Sequence, residues 1–162
     1  MQLLLNLPGN MATTAQLDAM YMDIAARIAS MSVAKRAQVG AVIVRDDNII
    51  SYGWNGTPAG DDNTCEATTD TGELVTLPHV LHAESNSLMK LAGAGGLGSA
   101  GGLGSAGSTL YVTLSPCREC AKLIKQAKIT RVIYRDQYRD PDGIAFLQQR
   151  GVSVTQIATD RK

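Results

Sequence analysis

Two short motifs with metal-binding side chains constrain this chain more than any other feature. The first is His82-Ala83-Glu84, and the second is Pro116-Cys117-Arg118-Glu119-Cys120. One imidazole and two thiolates are three good ligands for a zinc ion, one fewer than a closed structural site needs. The chain must therefore fold so that two distant segments meet at one ion. Water can fill the fourth position, where zinc lowers its pKa towards neutrality.

The carboxylate of Glu84 follows the histidine by two residues and can transfer protons to and from such a water. A closed structural zinc site would need a fourth ligand, for which Cys65 or His79 is available, but it would leave Glu84 without a role. The Cys-x-x-Cys pair would also suit a redox dithiol, which the upstream histidine disfavours. The motifs therefore favour a hydrolytic centre over both alternatives.

The order His-x-Glu and then Pro-Cys-x-x-Cys is typical of zinc deaminases. The chain resembles the cytidine and deoxycytidylate deaminase superfamily, and within it the deoxycytidylate (dCMP) deaminases, including those of phages. The resemblance runs from about residue 21 to residue 154, and it includes the blocks 38–41, 54–60 and 110–117. It implies an α/β fold, a three-layer α/β/α sandwich with a mixed five-stranded sheet. We expect residues 1–162 to form a single domain.

The resemblance also implies an activity. The dCMP deaminases hydrolyse dCMP to dUMP and ammonia with a zinc-activated hydroxide, and this reaction supplies dUMP for thymidylate synthesis. It further implies activation by dCTP, inhibition by dTTP, Mg²⁺ with the regulatory nucleotide, and a homohexamer. Alternative substrates are dCTP, deoxycytidine, guanine, riboflavin precursors or the adenosine of a tRNA. A non-catalytic, zinc-stabilised nucleotide-binding module is the non-enzymatic alternative.

Site residues follow from the resemblance position by position. It assigns the zinc ion to His82, Cys117 and Cys120, and proton transfer to Glu84. It assigns the substrate to the Ala83 amide, the Ser115 carbonyl, Asn55 at the sugar, Asn86 near the nucleotide and the ring of Tyr138. It assigns a regulatory nucleotide to Gly53 and Trp54. A helix-surface amide at residue 86, a core tyrosine at residue 138 and an interface tryptophan at residue 54 remain open alternatives.

Bulk composition narrows the class of partner and compartment. Lysine plus arginine and aspartate plus glutamate are balanced at 15 each, so no basic excess indicates a nucleic-acid partner. Three cysteines, two at ligand spacing, suit a reducing cytoplasm, which would be the host's for a phage protein. The apolar residues 1–7 lack a basic region and a cleavage site, so we expect no secretory signal. No apolar run approaches the roughly 20 residues that span a bilayer, and we expect no membrane partner.

Hydrophobic spacing predicts the elements of the fold. Leu17, Met20, Tyr21, Ile24 and Ile28 give residues 13–32 the period of an amphipathic helix, capped by a threonine at residue 13 or 14. Two β-branched runs around a polar turn predict a hairpin, and residues 53–78 show no period and predict a loop. The further predictions are helices over 82–92, 116–127 (with Pro116 at its first position) and 141–150, and strands over 110–114, 132–134 and 152–157. A hairpin followed by alternating helices and strands favours a mixed sheet covered on both faces.

Residues 93–107 contain only glycine, alanine, serine and leucine, and the six residues 95–100 recur as 101–106. Residues 93–98 match G-x-G-x-x-G, but a dinucleotide loop needs a strand before it and a helix after it. The order here is reversed, so we expect a flexible insertion. The resemblance to phage enzymes implies basic or aromatic side chains for the phosphate on the helix after Glu84, and here the glycine-rich run follows that helix. Lys90 is the candidate that this chain retains there.

Overall fold

The structure, a computed structural model, describes residues 11–98 and 104–158. The amino-terminal run expected not to be a secretory signal lies outside these residues. No helix within them has the length and apolar character needed to cross a membrane. The elements, in chain order, are α1 (Thr14–Ala29), β1 (Gly40–Arg45), β2 (Asn48–Trp54), β3 (Glu66–Thr68), β4 (Leu74–Thr76), α2 (Ala83–Gly93), β5 (Thr109–Leu114), α3 (Arg118–Gln126), β6 (Arg131–Asp136), α4 (Asp142–Gln148) and β7 (Ser153–Gln156).

Five strands form one mixed sheet in the order β2-β1-β5-β6-β7. β1 is antiparallel to both β2 and β5, whereas β5, β6 and β7 run parallel. The parallel strands are joined by α3 and α4, as parallel pairing requires a crossover. The predicted hairpin and the predicted mixed five-stranded sheet are confirmed.

Side chains alternate along the central strands between two apolar layers. On one face, Ile43, Val112 and Val132 pack with residues of α2, α3 and α4. On the other face, Val42 and Tyr111 pack with residues of α1. The sheet is therefore covered on both sides, which gives the predicted α/β/α sandwich.

Helix α1 is capped as the sequence predicts, by Thr13, whose side chain and backbone exchange hydrogen bonds with Gln16. Its buried stripe, however, is rotated from the predicted one. Met20, expected to be buried, is 44% exposed, and Asp18 is 7% exposed. The prediction used only the spacing of apolar residues, and an aspartate is rarely buried without a partner. The buried face of α1 was therefore predicted wrongly.

Asp18 is buried because it has two polar partners on the sheet. Arg131, the first residue of β6, donates two hydrogen bonds to its carboxylate at 2.9 and 2.6 Å, and the Tyr111 hydroxyl donates a third at 2.7 Å. Burial alone would raise the pKa of Asp18, but these bonds outweigh it and leave the pKa below its ordinary value. The network joins α1 to β5 and β6.

Two predicted boundaries were wrong. α3 begins at Arg118, not at Pro116, because the extended Cys117 is its N-cap and its carbonyl accepts the first helical bond from Ala121. The predicted loop 53–78 contains the two-stranded hairpin β3–β4, which a turn at Gly72 (φ +83°) closes. Strands of three residues are too short to show a period in the sequence.

The ends of the glycine-rich insertion are packed against the fold. The Ser105 side chain is fully buried, its backbone N–H donates to the Gly96 carbonyl, and its hydroxyl donates to the Ala127 carbonyl. As the order of elements predicts, α2 precedes the insertion and β5 follows it. Residues 99–103 lie outside the described chain, so flexibility there stays a prediction.

We expect Asp18→Ala to lower the free energy of unfolding by roughly 1–4 kcal/mol. That range lies between the contributions of an exposed and of a fully buried ion pair, because the Arg131 side chain is 32% exposed. Asp23→Ala on the exposed side of the same helix is the matched control. Urea unfolding of the three proteins is the measurement, and equal losses for both variants would contradict the role given to the network.

Candidate active site

A cavity of about 530 Å³ opens at the carboxyl ends of β5 and β6. Open α/β sheets place their ligand sites at this edge. The cavity is lined by seven of the residues that the sequence singled out: Asn55, His82, Ala83, Glu84, Ser115, Cys117 and Tyr138.

The metal-binding motifs lie where two helices begin. His82 is the N-cap of α2 and Cys117 is the N-cap of α3, and neither side chain makes a capping hydrogen bond. Ordinary N-cap side chains accept a bond from the first turn. Here both side chains turn towards each other instead, so the positive ends of two helix dipoles meet at the site.

The donor atoms have the spacing of a zinc site. His82 Nδ1 lies 3.6 Å from Cys117 Sγ and 3.4 Å from Cys120 Sγ. With Zn–N of about 2.0–2.1 Å and Zn–S of about 2.3 Å, tetrahedral nitrogen and sulfur ligands lie about 3.5 Å apart. The three side chains therefore fit a zinc ion, and as a set of three they leave one tetrahedral position for water.

The pKa values of the two thiols shift in opposite directions. Cys120 donates a hydrogen bond to Cys117, which lowers the pKa of Cys117 to about 3. The same bond, together with burial, raises the pKa of Cys120. Zinc requires both sulfurs as thiolates, so binding displaces the proton that Cys120 carries.

Glu84 lies in the first turn of α2, and its side chain is buried. Burial raises the pKa of Glu84 to about 7. A carboxyl group with such a pKa can both accept and deliver a proton near neutral pH. A closed structural zinc site would have no need of such a carboxyl group beside its ligands.

Ser115 and Tyr138 are fixed relative to each other. The Tyr138 backbone N–H donates to Ser115 Oγ at 2.7 Å, and the Ser115 N–H donates to the Asp136 carbonyl at 2.8 Å. The loop after β6 is thereby attached to the end of β5. Tyr138 lines the cavity and is half-buried. It is therefore not a core tyrosine, which was the alternative that the sequence left open.

The two predicted asparagines have different surroundings. Asn55 lines the cavity, but its amide already accepts from Val39 N–H and donates to the Ala37 carbonyl, both at 2.8 Å. An amide with two N–H groups and two lone pairs can take further partners. Asn86 is not among the lining residues, and it donates to the Trp54 carbonyl at 2.7 Å. It ties α2 to the end of β2.

The residues assigned to a regulatory nucleotide also lie outside the cavity lining. A Cβ at Gly53 would lie 2.6 Å from the Ser87 backbone nitrogen, so this glycine lets β2 approach α2. Trp54 stacks on Tyr52 with ring centroids 6.4 Å apart. The Lys90 ammonium lies 3.6 Å from the centroid of the Tyr52 ring rather than in the cavity, so Lys90 does not supply the expected phosphate contact there.

Sequence reasoning missed five polar residues that line the cavity, namely Arg36, Glu66, Thr76, Gln137 and Arg139. Arg36 is held by a 3.0 Å bond from its side chain to Thr76 Oγ1 and by its backbone N–H, which donates to Glu66. Gln137 and Arg139 flank Tyr138, and that adjacency was the available signal for both. The others come from loops and the β3–β4 hairpin, where no pattern marked them.

Among the described residues, Cys65 and His79 lie outside the group of potential metal ligands. Within residues 11–98 and 104–158, His82, Cys117 and Cys120 are the one group of three or more potential ligands at metal-binding spacing. Cys65 is buried among Ala34, Val80 and Leu77. It is a core cysteine in this structure.

A profile of the cytidine and deoxycytidylate deaminase zinc-binding region matches residues 15–136. The chain belongs to the cytidine and deoxycytidylate deaminase family. Its fold matches the crystal structure of the dCMP deaminase from cyanophage S-TIM5 in complex with dCMP and dUMP, with a TM-score of 0.77 and 41% identity, covering 90% of this chain and all of that one. The resemblance inferred from the motifs is confirmed.

Curated relatives include deoxycytidylate deaminases of eukaryotes and phages. The human protein is 39% identical over 127 residues, which cover 75% of this chain and 66% of that protein. The Schizosaccharomyces pombe protein is 31% identical over 147 residues, which cover 86% of this chain and 43% of that protein. The Enterobacteria phage T4 protein is 27% identical, covering 84% of this chain and 87% of that protein. The chain thus spans roughly half to two thirds of its eukaryotic relatives.

We expect the purified protein to hold one zinc ion per chain, because three ligands already have tetrahedral spacing. Cys120→Ala should lose the metal, since it removes one of three protein ligands, whereas Glu84→Gln should keep it. Cys65→Ala, which removes the thiol outside the site, is the matched control. Elemental analysis after dialysis is the measurement, and a metal-free wild-type protein or equal loss from the two alanine variants would contradict the ligand assignment.

Proposed function

We propose that this protein hydrolyses dCMP to dUMP and ammonia, supplying dUMP for thymidylate synthesis. The observation that carries the proposal is one cavity lined by two of the three zinc ligands, a buried carboxyl group at the start of a helix, and two arginines, with the third ligand, Cys120, at metal-binding distance from the other two. The similar cyanophage enzyme, crystallised with dCMP and dUMP, supports the choice of substrate.

Zinc, when bound by His82, Cys117 and Cys120, would act as a Lewis acid that lowers the pKa of water. Glu84 accepts a proton from the water that attacks C4 of the cytosine ring and delivers it to N3. Glu84 then transfers the second proton of that water to the exocyclic amine as the C4–N bond breaks. Ammonia leaves and the ring becomes uracil, so water and dCMP are converted to ammonia and dUMP with all atoms balanced.

Other residues of the cavity hold the ring in place. The Ala83 N–H, at the amino-terminal end of α2, is proposed to bind the pyrimidine O2, and the Ser115 carbonyl to accept from the exocyclic amine. Tyr138 packs on the substrate, and Asn55 contacts the sugar. The bonds between Tyr138 and Ser115 and between Asn55 and residues 37–39 support these roles, because they hold the contacting groups still before the substrate arrives.

Two arginines favour a nucleotide over a nucleoside. Arg36 and Arg139 line the cavity and are exposed at its rim, where a guanidinium can pair with phosphate oxygens. Thr76 and Glu66 hold Arg36 through its side chain and backbone. We propose that these two guanidinium groups bind the 5′-phosphate, a role for which Lys90 is in the wrong place.

We expect dCMP to be deaminated faster than deoxycytidine, dCTP or guanine, as followed by ammonia release. Arg139→Gln and Arg36→Gln should each lower kcat/KM for dCMP about tenfold or more, the cost of one charged hydrogen bond of about 1.5–3 kcal/mol. The loss should be in KM, with kcat/KM for deoxycytidine unchanged.

Lys35→Gln is the matched control, since Lys35 is exposed beside Arg36 but does not line the cavity. Consumption of another base while dCMP is untouched would contradict the substrate. An unchanged activity in Glu84→Gln would contradict catalysis and favour a zinc-stabilised binding module, because a general acid–base group contributes about 10²–10⁴-fold.

We further propose regulation at Trp54 by dCTP as activator and dTTP as inhibitor, with Mg²⁺, in a cytoplasmic homohexamer. Support comes from the stacked rings of Tyr52 and Trp54 and the ammonium of Lys90 beside them, since aromatic faces and a cation suit a nucleotide. Three free cysteines suit a reducing compartment.

Both nucleotides should raise the melting temperature in a Mg²⁺-dependent manner, and Trp54→Ala should abolish the shift without altering zinc content. Differential scanning fluorimetry is the measurement, and sedimentation checks the hexamer. A shift that survives in Trp54→Ala would place the regulatory site elsewhere.

A further inference from the structure

Gly143, in the first turn of α4, directly contacts the backbone of the turn that carries Cys117. A Cβ built at this position would lie 2.0 Å from the Pro116 carbonyl oxygen and 2.9 Å from that of Cys117. We propose that Gly143 is a positioning residue, whose bare Cα lets α4 support the metal-binding turn at the distance that zinc requires. The proposal that Gly143 supports zinc binding does not rest on the proposed function. Only its consequence for deamination does.

Helix α4 is held firmly enough to act as a support. At its start, the Asp142 N–H donates a 2.9 Å bond to the Asp140 carboxylate, and Asp142 pairs with Arg118 of α3 at 3.6 Å. Further along the helix, Leu147 is fully buried in the main core. The start of α4 cannot move without disturbing these contacts.

The turn is also held on its other sides. The Ser115 N–H is bonded to the Asp136 carbonyl, and the Cys117 carbonyl accepts the first bond of α3 from Ala121. The Cys117 side chain, in turn, faces His82 at 3.6 Å. A shift of the turn away from α4 is therefore passed to the sulfur atom and to the Ser115 carbonyl.

The size of the shift decides the effect. A Cβ at 2.0 Å from a backbone oxygen must move by about 1 Å to reach the 3.0 Å that real Cβ contacts respect. Metal–ligand distances tolerate only about 0.2 Å. Glycine within a helix is otherwise less stable than alanine by about 0.5–1 kcal/mol, so the close approach explains why this position has no side chain.

We expect Gly143→Ala to weaken zinc binding tenfold or more, the range seen when groups that support metal ligands are changed. Competition with a chromophoric chelator, without substrate, is the measurement. Gly93→Ala is the matched control: Gly93 also lies in a helix, has no positive φ, and a Cβ there meets nothing within 4 Å. Zinc affinity of Gly143→Ala within twofold of the wild type, whatever its melting temperature, would overturn the proposal.

Hydrogen exchange of the wild-type protein gives a test that needs no substitution and applies if Gly143→Ala does not fold. Removing zinc with a chelator should speed amide exchange in residues 142–148 as well as in 118–126, with residues 22–29 of α1 as the unchanged reference. Faster exchange confined to 118–126 would overturn the proposal. Weak zinc binding in Gly143→Ala beside a wild type inactive on dCMP would leave the proposal standing and contradict the proposed function alone.

Discussion

The convergence of two helix N-caps on one metal position is the constraint on which the rest of this structure depends. His82 and Cys117 occupy N-cap positions without capping their helices, because their side chains are committed to the metal site. The start of α2 and the start of α3 are therefore fixed by the same three donor atoms. Glu84, Ala83 and Ser115 take their places because they are neighbours of those caps along the chain.

Close helix contacts at glycine recur across the fold. A Cβ at Gly40 would lie 2.1 Å from the Ala25 carbonyl of α1, and one at Gly53 would lie 2.8 Å from the Ala83 carbonyl of α2. With Gly143, three of the four helices within residues 11–98 and 104–158 touch a strand or turn at a glycine. At these contacts even a methyl group would overlap backbone atoms, so the helix and its neighbour can keep their separation only while the residue is glycine.

The sequence was most informative where residue type and spacing both carry meaning. The meeting of His82 with Cys117 and Cys120, and the β1–β2 hairpin, were predicted because their patterns are local and chemically specific. The buried Asp18 was not, since its burial depends on Arg131, which is 113 residues away. Arg36 and Gly143 were missed for the same reason, because each contacts residues that are distant in the sequence. The β3–β4 hairpin was missed because its three-residue strands are too short to show a period.

The Asp18 network and the cavity lie at opposite ends of the parallel strands. Thr109 and Arg131 begin β5 and β6, whereas Ser115 and Gln137 follow their ends. The loops that line the cavity are thus remote from the ion pair between α1 and β6. Substitutions in the cavity loops, in evolution or in a laboratory selection, therefore leave the ion pair between Asp18 and Arg131 intact, and the fold can tolerate them.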